Sequence, residues 1–440
     1  MFAFWRKKAM KIAIAGTGYV GLVTGVCLAE VGHKNVVCVD VDESKVKLMQ
    51  SGKSPIYEDG LEELMQKNYK IGRISYTTNY KDAYKDADVI IIAVGTPERK
   101  DGSANLDYIK KVAMQVSKTI TKDTLVVIKS TVPIGTNEGI EKYIKKNLKN
   151  NVKIELASNP EFLSQGSAVK DTLNASRIVI GVESEWAREI LENVYKPFNQ
   201  PIIVTNRNSA EMIKYASNDF LALKISFMND IANLCEIVGA NIEDVAKGMS
   251  YDERIGDKFL KAGIGYGGSC FPKDTKALHW LSNQNGYELK TIKAAIEVNE
   301  SQKLKLVRKA SEIIENFEGM RVCVLGLTFK PGTDDLREAP SIPNIEYLLE
   351  RGAKVVAYDP IGIENTKKIF NDSIEYTTSI DEAIKDSEAC FIMTEWSEIL
   401  NYDISKYKTN MKVPLIFDGR NCYNIDCMKD LGILYYSIGR

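Results

Sequence analysis

The sequence predicts an α/β fold in which two Rossmann-like, doubly wound domains are joined by a central helical domain with a long spine helix. Its 440 residues exceed what one hydrophobic core usually holds, so several domains are expected. Apolar strands alternate with helical patterns from Met10 onwards, and the same alternation returns in the last third of the chain. Between these two regions, apolar residues recur at the spacing of helices. We therefore expect domains at residues 10–205, 206–317 and 318–440.

The first domain is expected to contain a parallel sheet. Its strand candidates are nearly continuous apolar runs, namely KIAIAG, NVVCVDV, ADVIIIAVG, TLVVIKS, KIELAS and RIVIGV. Strands of this kind are buried on both faces, as in a sheet that helices cover on each side. Ligands bind beyond the carboxyl ends of such strands. Small, polar and acidic residues stand at these ends, at Gly16 to Gly18, Asp40, Gly95 to Pro97, Ser130 to Pro133 and Asn159 to Glu161.

The central domain is expected to begin with a long helix. Asn208 to Glu211 has the pattern of a capping box, and apolar residues then recur at helical spacing as far as Gly239. About 30 residues of helix span roughly 45 Å. That length suits a spine between domains or a contact between two copies of the chain.

The third domain repeats the first in miniature. MRVCVLG followed by GAKVVAYDP resembles MKIAIAG followed by GHKNVVCVDVD. The first strand ends in Gly326-Leu327-Thr328, which lacks the full glycine signature of a dinucleotide site. A site for another nucleotide is therefore expected here, rather than a second dinucleotide site.

Charge and hydropathy exclude several classes of protein. Lys and Arg number 58 and Asp and Glu number 59, so the net charge of -1 gives no general attraction to nucleic acid or a membrane surface. No apolar run reaches the roughly 18–20 residues of a membrane span. Residues 1–9 place apolar residues before charges, the reverse of a secretory signal, and whether they are native stays open.

Cysteine and histidine usage narrows the chemistry. The eight cysteines form no CxxC and are too sparse for a disulfide scaffold, which predicts a reduced, cytoplasmic protein. With two histidines, His33 and His279, a metal site or a histidine relay is not expected, and both are interpreted as structural. Lys, Glu, Asp and Cys must carry any acid–base and covalent chemistry.

A glycine signature predicts an NAD site. Gly16, Gly18 and Gly21 follow a strand and open a helix, where glycines permit the tight turn, the approach of a pyrophosphate and close helix–strand packing. The helix N-terminus favours the negative charge of the pyrophosphate. Asp40 ends the second strand, and a carboxylate there accepts a bond from a ribose 2′-hydroxyl and repels a 2′-phosphate. NAD is therefore expected in preference to NADP.

A second glycine-rich loop carries a candidate nucleophile. Four glycines lie between Gly263 and Gly268, and Cys270 follows them outside any apolar run. A thiol near a helix N-terminus and a lysine, here Lys273, is stabilised as thiolate, which is its nucleophilic form. We interpret the other seven cysteines as packing residues.

Taken together, the motifs resemble those of the UDP-glucose/GDP-mannose dehydrogenase family. They are GTGYVG with VDVD, STVPIGT, NPEFL, KYASN, GYGGSCFPKD and GLTFKPGTDDLRE, and the resemblance extends from Met10 to about Arg420. It implies oxidation of a sugar C6 alcohol to a carboxylate, with two NAD per turnover and no metal. The glycine–cysteine motif, with Phe271 before the proline, most resembles that of the family members that oxidise UDP-glucose to UDP-glucuronate, so the resemblance implies this substrate and this product. The resemblance also implies a homodimer, an NAD-binding first domain, a central domain with the cysteine loop and a UDP-sugar-binding third domain.

The resemblance assigns the catalytic roles. Cys270 would trap the aldehyde as a thiohemiacetal, whose oxidation gives a thioester that water hydrolyses. Lys214 and Asn218 lie four residues apart on one helix and would stabilise the developing oxyanion. Glu161 is the expected general base, while Thr131 and Asp274 would hold the water.

Binding positions follow from the same resemblance. For the cofactor they are Gly16, Gly18, Tyr19, Val20, Gly21, Asp40, Lys45, Thr96, Thr131, Gln165, Lys273 and Arg337. For the substrate they are Glu161, Phe162, Leu163, Lys214, Asn218, Arg254, Phe259, Lys261, Gly267, Lys330 and Arg420, with Arg254 supplied by the neighbouring subunit. The family usually carries a glutamate where this chain has Gln165, which cannot take a proton, and this concentrates the role of general base on Glu161.

Three alternatives stay open at this point. The same chemistry could act on GDP-mannose or another UDP-sugar, because the sugar-contacting loop is the hardest part to decode. A single-step hydroxyacid dehydrogenase would leave Cys270 and the third domain unexplained. A non-catalytic sensor of nucleotide sugars would agree with Gln165 but not with Cys270, Lys214, Asn218 and Asp274.

Overall fold

The computed structural model describes residues 10–440. The N-terminal segment 1–9, on which the argument about a secretory signal rests, lies outside the described residues. Two compact units divide the chain, one ending at Ser217 and the other comprising Asn218–Arg440. We describe each unit by itself.

Unit 1 is built on one eight-stranded sheet. Its strands are β1 (Ile12–Ala15), β2 (Val36–Val39), β3 (Ile74–Thr77), β4 (Val89–Ile92), β5 (Thr124–Ile128), β6 (Ile154–Ser158), β7 (Ile178–Gly181) and β8 (Ile202–Thr205). The spatial order is β3-β2-β1-β4-β5-β6-β7-β8, and every pair is parallel except β6 and β7. The order reverses between β1 and β4, which is the switch point where doubly wound sheets bind their ligands.

Helices cover both faces of this sheet. They are α1 (Tyr19–Glu30), α2 (Glu43–Gln50), α3 (Leu61–Lys70), α4 (Tyr80–Tyr84), α5 (Asp107–Thr119), α6 (Thr136–Asn147), α7 (Ala168–Leu173) and α8 (Glu185–Tyr195), with a 3₁₀ turn at Lys196–Phe198. Alternate residues of β1 enter different cores, since Ile12 and Ile14 pack with α1 and α3 while Ala13 and Ala15 pack with α5. The continuous apolar strands of the sequence are thereby explained.

The long helix of the sequence is α9 (Arg207–Val238), with 32 residues. The predicted capping box at Asn208 is wrong. The Asn206 side chain instead accepts a bond from the Ser209 N–H over 2.7 Å. The Glu211 carboxylate accepts bonds from the Gly135 and Asn137 N–H groups at 2.7 and 2.9 Å, so it anchors the start of α6 rather than of its own helix.

Unit 2 contains the rest of α9, further helices and a second sheet. After α9 come α10 (Ile242–Ser250), α11 (Phe271–Gln284), α12 (Lys290–Gln302) and α13 (Lys305–Ser311). The sheet region consists of β9 (Arg321–Leu325), α14 (Ser341–Glu350), β10 (Lys354–Tyr358), α15 (Ile363–Phe370), a 3₁₀ turn (Asn371–Ser373), β11 (Glu375–Thr377), α16 (Ile380–Ile384), β12 (Ala389–Ile392), α17 (Ser397–Leu400), α18 (Ser405–Asn410), β13 (Leu415–Asp418), α19 (Ile425–Asp430) and β14 (Leu434–Tyr436). The all-parallel order β11-β10-β9-β12-β13-β14 repeats the winding of the first sheet. Two Rossmann-like sheets and a helical region between them along the chain confirm the predicted fold class.

In both sheets an acidic residue follows the second strand, Asp40 after β2 and Asp359 after β10, but the surroundings of the two residues differ. Asp359 is fully buried, and its carboxylate accepts bonds from the Leu327 and Gly362 N–H groups and from the Trp396 indole at 2.6–3.1 Å. Because Asp359 is fully buried among these donors, its carboxylate is not open to a ligand. This agrees with the expectation that the third domain is not a second dinucleotide site.

The cysteines are free thiols, and most of them are buried. All eight cysteines lie in the described part of the chain, and none forms a disulfide. Five of the seven interpreted as packing residues are buried, but Cys422 is half-buried and Cys427 is exposed on α19, so the interpretation is wrong for Cys427. Between residues 10 and 440, no helix is long and apolar enough to cross a membrane.

Candidate active site

The first glycine turn leaves room for a ligand on one side only. A Cβ atom on Gly16 would lie 2.7 Å from the Ala93 carbonyl oxygen, and one on Gly21 would lie 2.0 Å from the Gly16 oxygen. Gly16 also has a φ of +97°, which favours glycine. At Gly18, by contrast, no atom lies within 4 Å of the added Cβ. Two glycines are required by packing and the third borders open space, as a bound pyrophosphate requires.

Asp40 stands beside this turn, directly after β2. Its carboxylate accepts bonds from the Thr17 N–H at 2.9 Å and from the Asp42 N–H at 3.0 Å. These bonds hold a half-exposed negative charge at the position that distinguishes NAD from NADP. The geometry of the turn and of Asp40 fits an NAD molecule.

Further predicted cofactor residues lie at neighbouring strand ends. The Thr96 hydroxyl, after β4, donates to the Thr131 carbonyl oxygen, after β5, over 2.9 Å. Gln165 is buried, and its Oε1 atom has no hydrogen-bond partner among residues 10–440. Because buried acceptors are normally satisfied, this oxygen fits a bound group that carries N–H donors.

The remaining cofactor positions are dispersed. Tyr19 and Val20 open α1, and Lys45 is exposed on α2. Lys273 and Arg337 belong to unit 2, where they pair with Asp274 and Asp335 at 2.5 and 2.6 Å.

Glu161 and Lys214 form a buried ion pair in unit 1. The Lys214 ammonium lies 3.0 Å from Glu161 Oε1, and the two side chains are 3% and 7% exposed. The other carboxylate oxygen accepts a bond from the Leu163 N–H at 2.9 Å. The ammonium also lies 5.5 Å from the centre of the Phe162 ring. Buried charges persist only when they are paired and hydrogen-bonded, and both conditions hold here.

A third charged residue, Lys129, stands behind this pair and was not predicted from the sequence. Its ammonium donates to Asn159 Oδ1 over 2.9 Å, and the Asn159 amide donates to the Val179 carbonyl over 2.8 Å. Burial lowers the pKa of Lys129 to about 8, while Glu161 opposes that shift and Lys214 adds to it. In the sequence, Lys129 is the last residue of the apolar run TLVVIK. A charged side chain is rarely buried in such a run unless it has a hydrogen-bonding or ionic partner, and this could have marked Lys129 as a candidate.

Cys270 lies in unit 2 and is the N-cap residue of α11. Asp274, in the first turn of that helix, is 1% exposed and accepts a bond from the Asn218 amide over 2.7 Å. Its second oxygen pairs with Lys273. The structure thus brings together Asn218, Asp274 and Lys273 beside the start of the helix that Cys270 opens. Lys214 precedes Asn218 by one turn of α9.

The second glycine loop needs its glycines for close packing within unit 2. A Cβ on Gly267 would lie 2.4 Å from the Glu338 carbonyl oxygen, and one on Gly263 would lie 2.8 Å from the Gly419 oxygen. Arg420 donates to the Met393 carbonyl at 2.8 Å and to the Gly265 carbonyl at 3.3 Å. The loop that carries Cys270 is therefore packed against the segments that carry the predicted substrate cations Lys330 and Arg420.

Aromatic side chains lie next to this loop. The Phe271 ring is 5.8 Å from Tyr266 and 6.3 Å from Phe259. Phe259 has a φ of +64°, an uncommon value for a bulky residue and one that is found at functional sites. Lys261, two residues later, is exposed.

Arg254 does not join the other predicted substrate residues of its own chain. Its side chain is 87% exposed, and its guanidinium bonds to Asp252 at 2.6 and 2.9 Å. His33 bonds to the Val194 carbonyl, far along the chain, and His279 bonds to the Asn283 amide one turn later in its own helix. Among residues 10–440, no cluster of three or more His, Cys, Asp or Glu side chains could hold a metal ion.

Comparison with known proteins agrees with this geometry. Residues 10–199, 208–301 and 323–425 match the NAD binding, central and UDP binding domains of the UDP-glucose/GDP-mannose dehydrogenase family. The UDP-glucose 6-dehydrogenases YwqF and TuaD of Bacillus subtilis (strain 168) are 50% and 48% identical to this chain. The two alignments cover 98% of this chain each, and 98% of YwqF and 93% of TuaD.

A solved structure gives the same result. The UDP-glucose dehydrogenase from the hyperthermophilic archaeon Pyrobaculum islandicum is 38% identical and superimposes with a TM-score of 0.91, over 98% of both chains. The match to the NAD binding domain, together with the glycine turn and Asp40, makes NAD the cofactor. The motifs had predicted the same relationship: the chain belongs to the UDP-glucose/GDP-mannose dehydrogenase family.

Proposed function

We propose that this protein oxidises the C6 alcohol of UDP-glucose to the carboxylate of UDP-glucuronate, with the reduction of two NAD per product. The observation that carries the proposal is Cys270 at the N-terminus of α11, beside the bonded set of Asn218, Asp274 and Lys273. A single-step dehydrogenase has no use for such a nucleophile. The relatives named above support UDP-glucose as the substrate.

The cofactor is held by the first glycine turn. The pyrophosphate binds at the turn formed by Gly16, Gly18 and Gly21, on the open side that Gly18 borders, and Asp40 receives the ribose. When bound, NAD supplies an acceptor for the hydride that each oxidation releases. Tyr19, Val20, Lys45, Thr96, Thr131, Gln165, Lys273 and Arg337 are the further proposed cofactor contacts.

Cys270 makes the reaction a four-electron oxidation. Its thiolate attacks the aldehyde carbon to form a thiohemiacetal, and oxidation of that carbon gives a thioester. A water molecule then attacks the carbonyl carbon, the C–S bond breaks with its electron pair on sulfur, and the carboxylic acid leaves. Asn218 and Lys214 stabilise the oxyanions, since both can donate hydrogen bonds and Lys214 adds a positive charge.

Glu161 is the proposed general base for the hydrolysis of the thioester. Its carboxylate lies 3.0 Å from the Lys214 ammonium and accepts a bond from the Leu163 N–H, so the side chain is held in place beside the proposed oxyanion donor Lys214. Thr131 and Asp274 hold the water. The neutral Gln165 keeps a binding role but no proton-transfer role.

The sugar and the uridine diphosphate have separate sets of proposed contacts. Phe162, Leu163, Phe259, Lys261 and Gly267 contact the sugar, and Lys330 and Arg420 contact the uridine and the diphosphate. Arg254 reaches the phosphates of a second copy of the chain, which agrees with its exposure in its own chain.

The proposed assembly is therefore a homodimer in which α9 provides the contact. The helix exposes an apolar stripe of Phe220, Phe227, Leu234 and Ile237, between 50% and 81% exposed. Exposed apolar stripes of this kind mark protein–protein contacts. The proposed location is the cytoplasm, where cysteines without disulfides are the rule.

The substrate is tested by a panel of nucleotide sugars. We expect NADH release at the highest kcat/KM with UDP-glucose, compared with UDP-galactose, GDP-mannose and UDP-N-acetylhexosamines. A preference for GDP-mannose or another UDP-sugar would replace the substrate but keep the chemistry. No NADH with any of them would favour the non-catalytic sensor.

A further inference from the structure

Asp219 is a buried carboxyl group for which the reaction described above has no use. It lies on α9 directly after Asn218 and is 1% exposed. Neither of its two carboxyl oxygens has a hydrogen-bond partner among residues 10–440. Its neighbour Asn218 donates to Asp274. The charges that act on Asp219 through space are those of Asp274 and Lys273 on α11, and Asp219 acts in turn on the Tyr266 hydroxyl of the glycine loop.

A carboxyl group in this position does not stabilise the fold. Burial without hydrogen bonds disfavours the ionised form, and a like charge on Asp274 disfavours it further. Burial accordingly raises the pKa of Asp219 to about 8, with a further rise from Asp274 and a smaller opposing effect of Lys273. Groups that cost stability are commonly retained for function, and Asp219 acts on Asp274, which lies in the first turn of the helix that Cys270 opens.

Asp219, Asp274 and Lys273 form a cluster whose net charge depends on whether Asp219 is protonated. With Asp219 neutral, the charges of Asp274 and Lys273 cancel. With Asp219 ionised, the cluster carries one net negative charge in a buried setting, where charges are weakly screened. Thioester hydrolysis develops negative charge on the carbonyl oxygen and then on the leaving sulfur, and a nearby negative charge opposes both.

We propose that Asp219 is a positioning residue that acts through Asp274: as a neutral acid it keeps the Asp274–Lys273 cluster uncharged during thioester hydrolysis, and its ionisation slows that step. The proposal rests on the proposed function. It adds no reactant, because the water proton goes to the general base and the C–S electron pair goes to Cys270, as described above. Asp219 gains or loses a proton only by exchange with solvent.

The test is the rate of UDP-glucuronate formation against pH, between pH 6 and 10, in the full-length enzyme with UDP-glucose and saturating NAD. Asp219→Asn keeps the size of the side chain and cannot ionise. Asp219→Ala is a second variant in case the amide perturbs the fold, and thermal unfolding shows which variants are folded. Asp244→Asn is the matched control, because Asp244 is exposed on α10.

The expected result is a rate for Asp219→Asn, relative to the native enzyme, that rises on the order of tenfold as pH passes through about 8. Asp244→Asn should follow the native enzyme at every pH. Parallel profiles for Asp219→Asn and the native enzyme would overturn the proposal, and so would a folded Asp219→Asn or Asp219→Ala that is inactive at pH 7. A native enzyme that makes no UDP-glucuronate at any pH would instead contradict the proposed function.

Discussion

Cys270 differs from Cys27 and Cys38 in its surroundings. Burial raises the pKa of the Cys27 and Cys38 thiols to about 12, which keeps them protonated and unreactive at neutral pH. Cys270 lies at a helix N-terminus instead. The sequence predicted this difference correctly, because Cys27 and Cys38 lie in apolar runs and Cys270 follows a glycine loop.

Replacing Cys270 by alanine should abolish the formation of UDP-glucuronate. Without the thiol the aldehyde cannot be held as a thiohemiacetal, so the second oxidation loses its substrate. The product is measured by chromatography after incubation with UDP-glucose and NAD. Cys427→Ala, which removes an exposed thiol, is the control and should retain native activity. Acid formation by Cys270→Ala at the native rate would refute the covalent mechanism.

Glu161 should be needed for hydrolysis and not for the formation of the thioester. We expect Glu161→Gln to slow turnover by about 10²–10⁴-fold, the usual contribution of a general base. The acyl-enzyme should then accumulate, which intact-protein mass spectrometry detects as a covalent adduct. Glu63→Gln, on the exposed face of α3, is the control and should show no adduct. Slow turnover of Glu161→Gln without an adduct would place the role of Glu161 in an earlier step.

At the residue scale, the sequence does not show which polar side chains are buried in the fold. The motifs proposed roles for Lys214, Asn218 and Asp274. Lys129 showed only as a lysine at the end of an apolar run, and Asp219 gave no signal, because helix and strand patterns do not show which polar residues turn inward. Asp219 stands in a helix with polar residues on several sides, and only the fold shows that its side chain is enclosed. The same limit explains why Cys427 was interpreted wrongly.

At the scale of elements, different glycines of the first glycine turn serve packing and cofactor binding. Gly21→Ala should destabilise the protein by about 1–3 kcal/mol, because the new methyl group would overlap the Gly16 carbonyl. Gly18→Ala should leave the midpoint of thermal unfolding without NAD almost unchanged, since its Cβ meets no atom within 4 Å. It should nevertheless raise the KM for NAD, because that side of the turn receives the pyrophosphate. A Gly18→Ala enzyme with native KM for NAD would show that the cofactor does not approach there.

Element boundaries were predicted less well than element types. The length of α9 followed from its apolar periodicity, which continues over many turns. Its start did not, because Asn206 and Asn208 are equally good capping residues by type. Tertiary contacts decided between them, since Glu211 bonds to the start of α6 and is not available for a capping box.

At the scale of the whole molecule, the proposed dimer makes each site depend on two chains. Arg254→Ala and Cys270→Ala should each be nearly inactive as purified dimers. In a mixed dimer, one site combines an intact Cys270 with an intact Arg254 from the other chain, so exchange of subunits should restore activity. The readout is NADH formation after the two variants are mixed under conditions that allow exchange. Mixtures that remain as inactive as the separate variants, despite demonstrated exchange, would show that Arg254 serves its own chain.

The repeated Rossmann-like pattern and the two glycine loops carried most of the fold prediction. They did not show why the second sheet lacks a dinucleotide site. The Asp359 carboxylate is enclosed by main-chain N–H groups and the Trp396 indole, and these donors are brought together only by tertiary contacts. The Cys270 loop, packed against the segments of Lys330 and Arg420, links the covalent chemistry to the proposed UDP-sugar site within one unit.

The measurement that tests this account most directly is the number of NADH molecules formed per molecule of UDP-glucuronate. The native enzyme is incubated with limiting UDP-glucose and excess NAD; NADH is counted by absorbance and the sugar product by chromatography. Covalent oxidation through Cys270 predicts two NADH per UDP-glucuronate, with no aldehyde released. One NADH per product, with an aldehyde or ketone as the final product, would contradict the account.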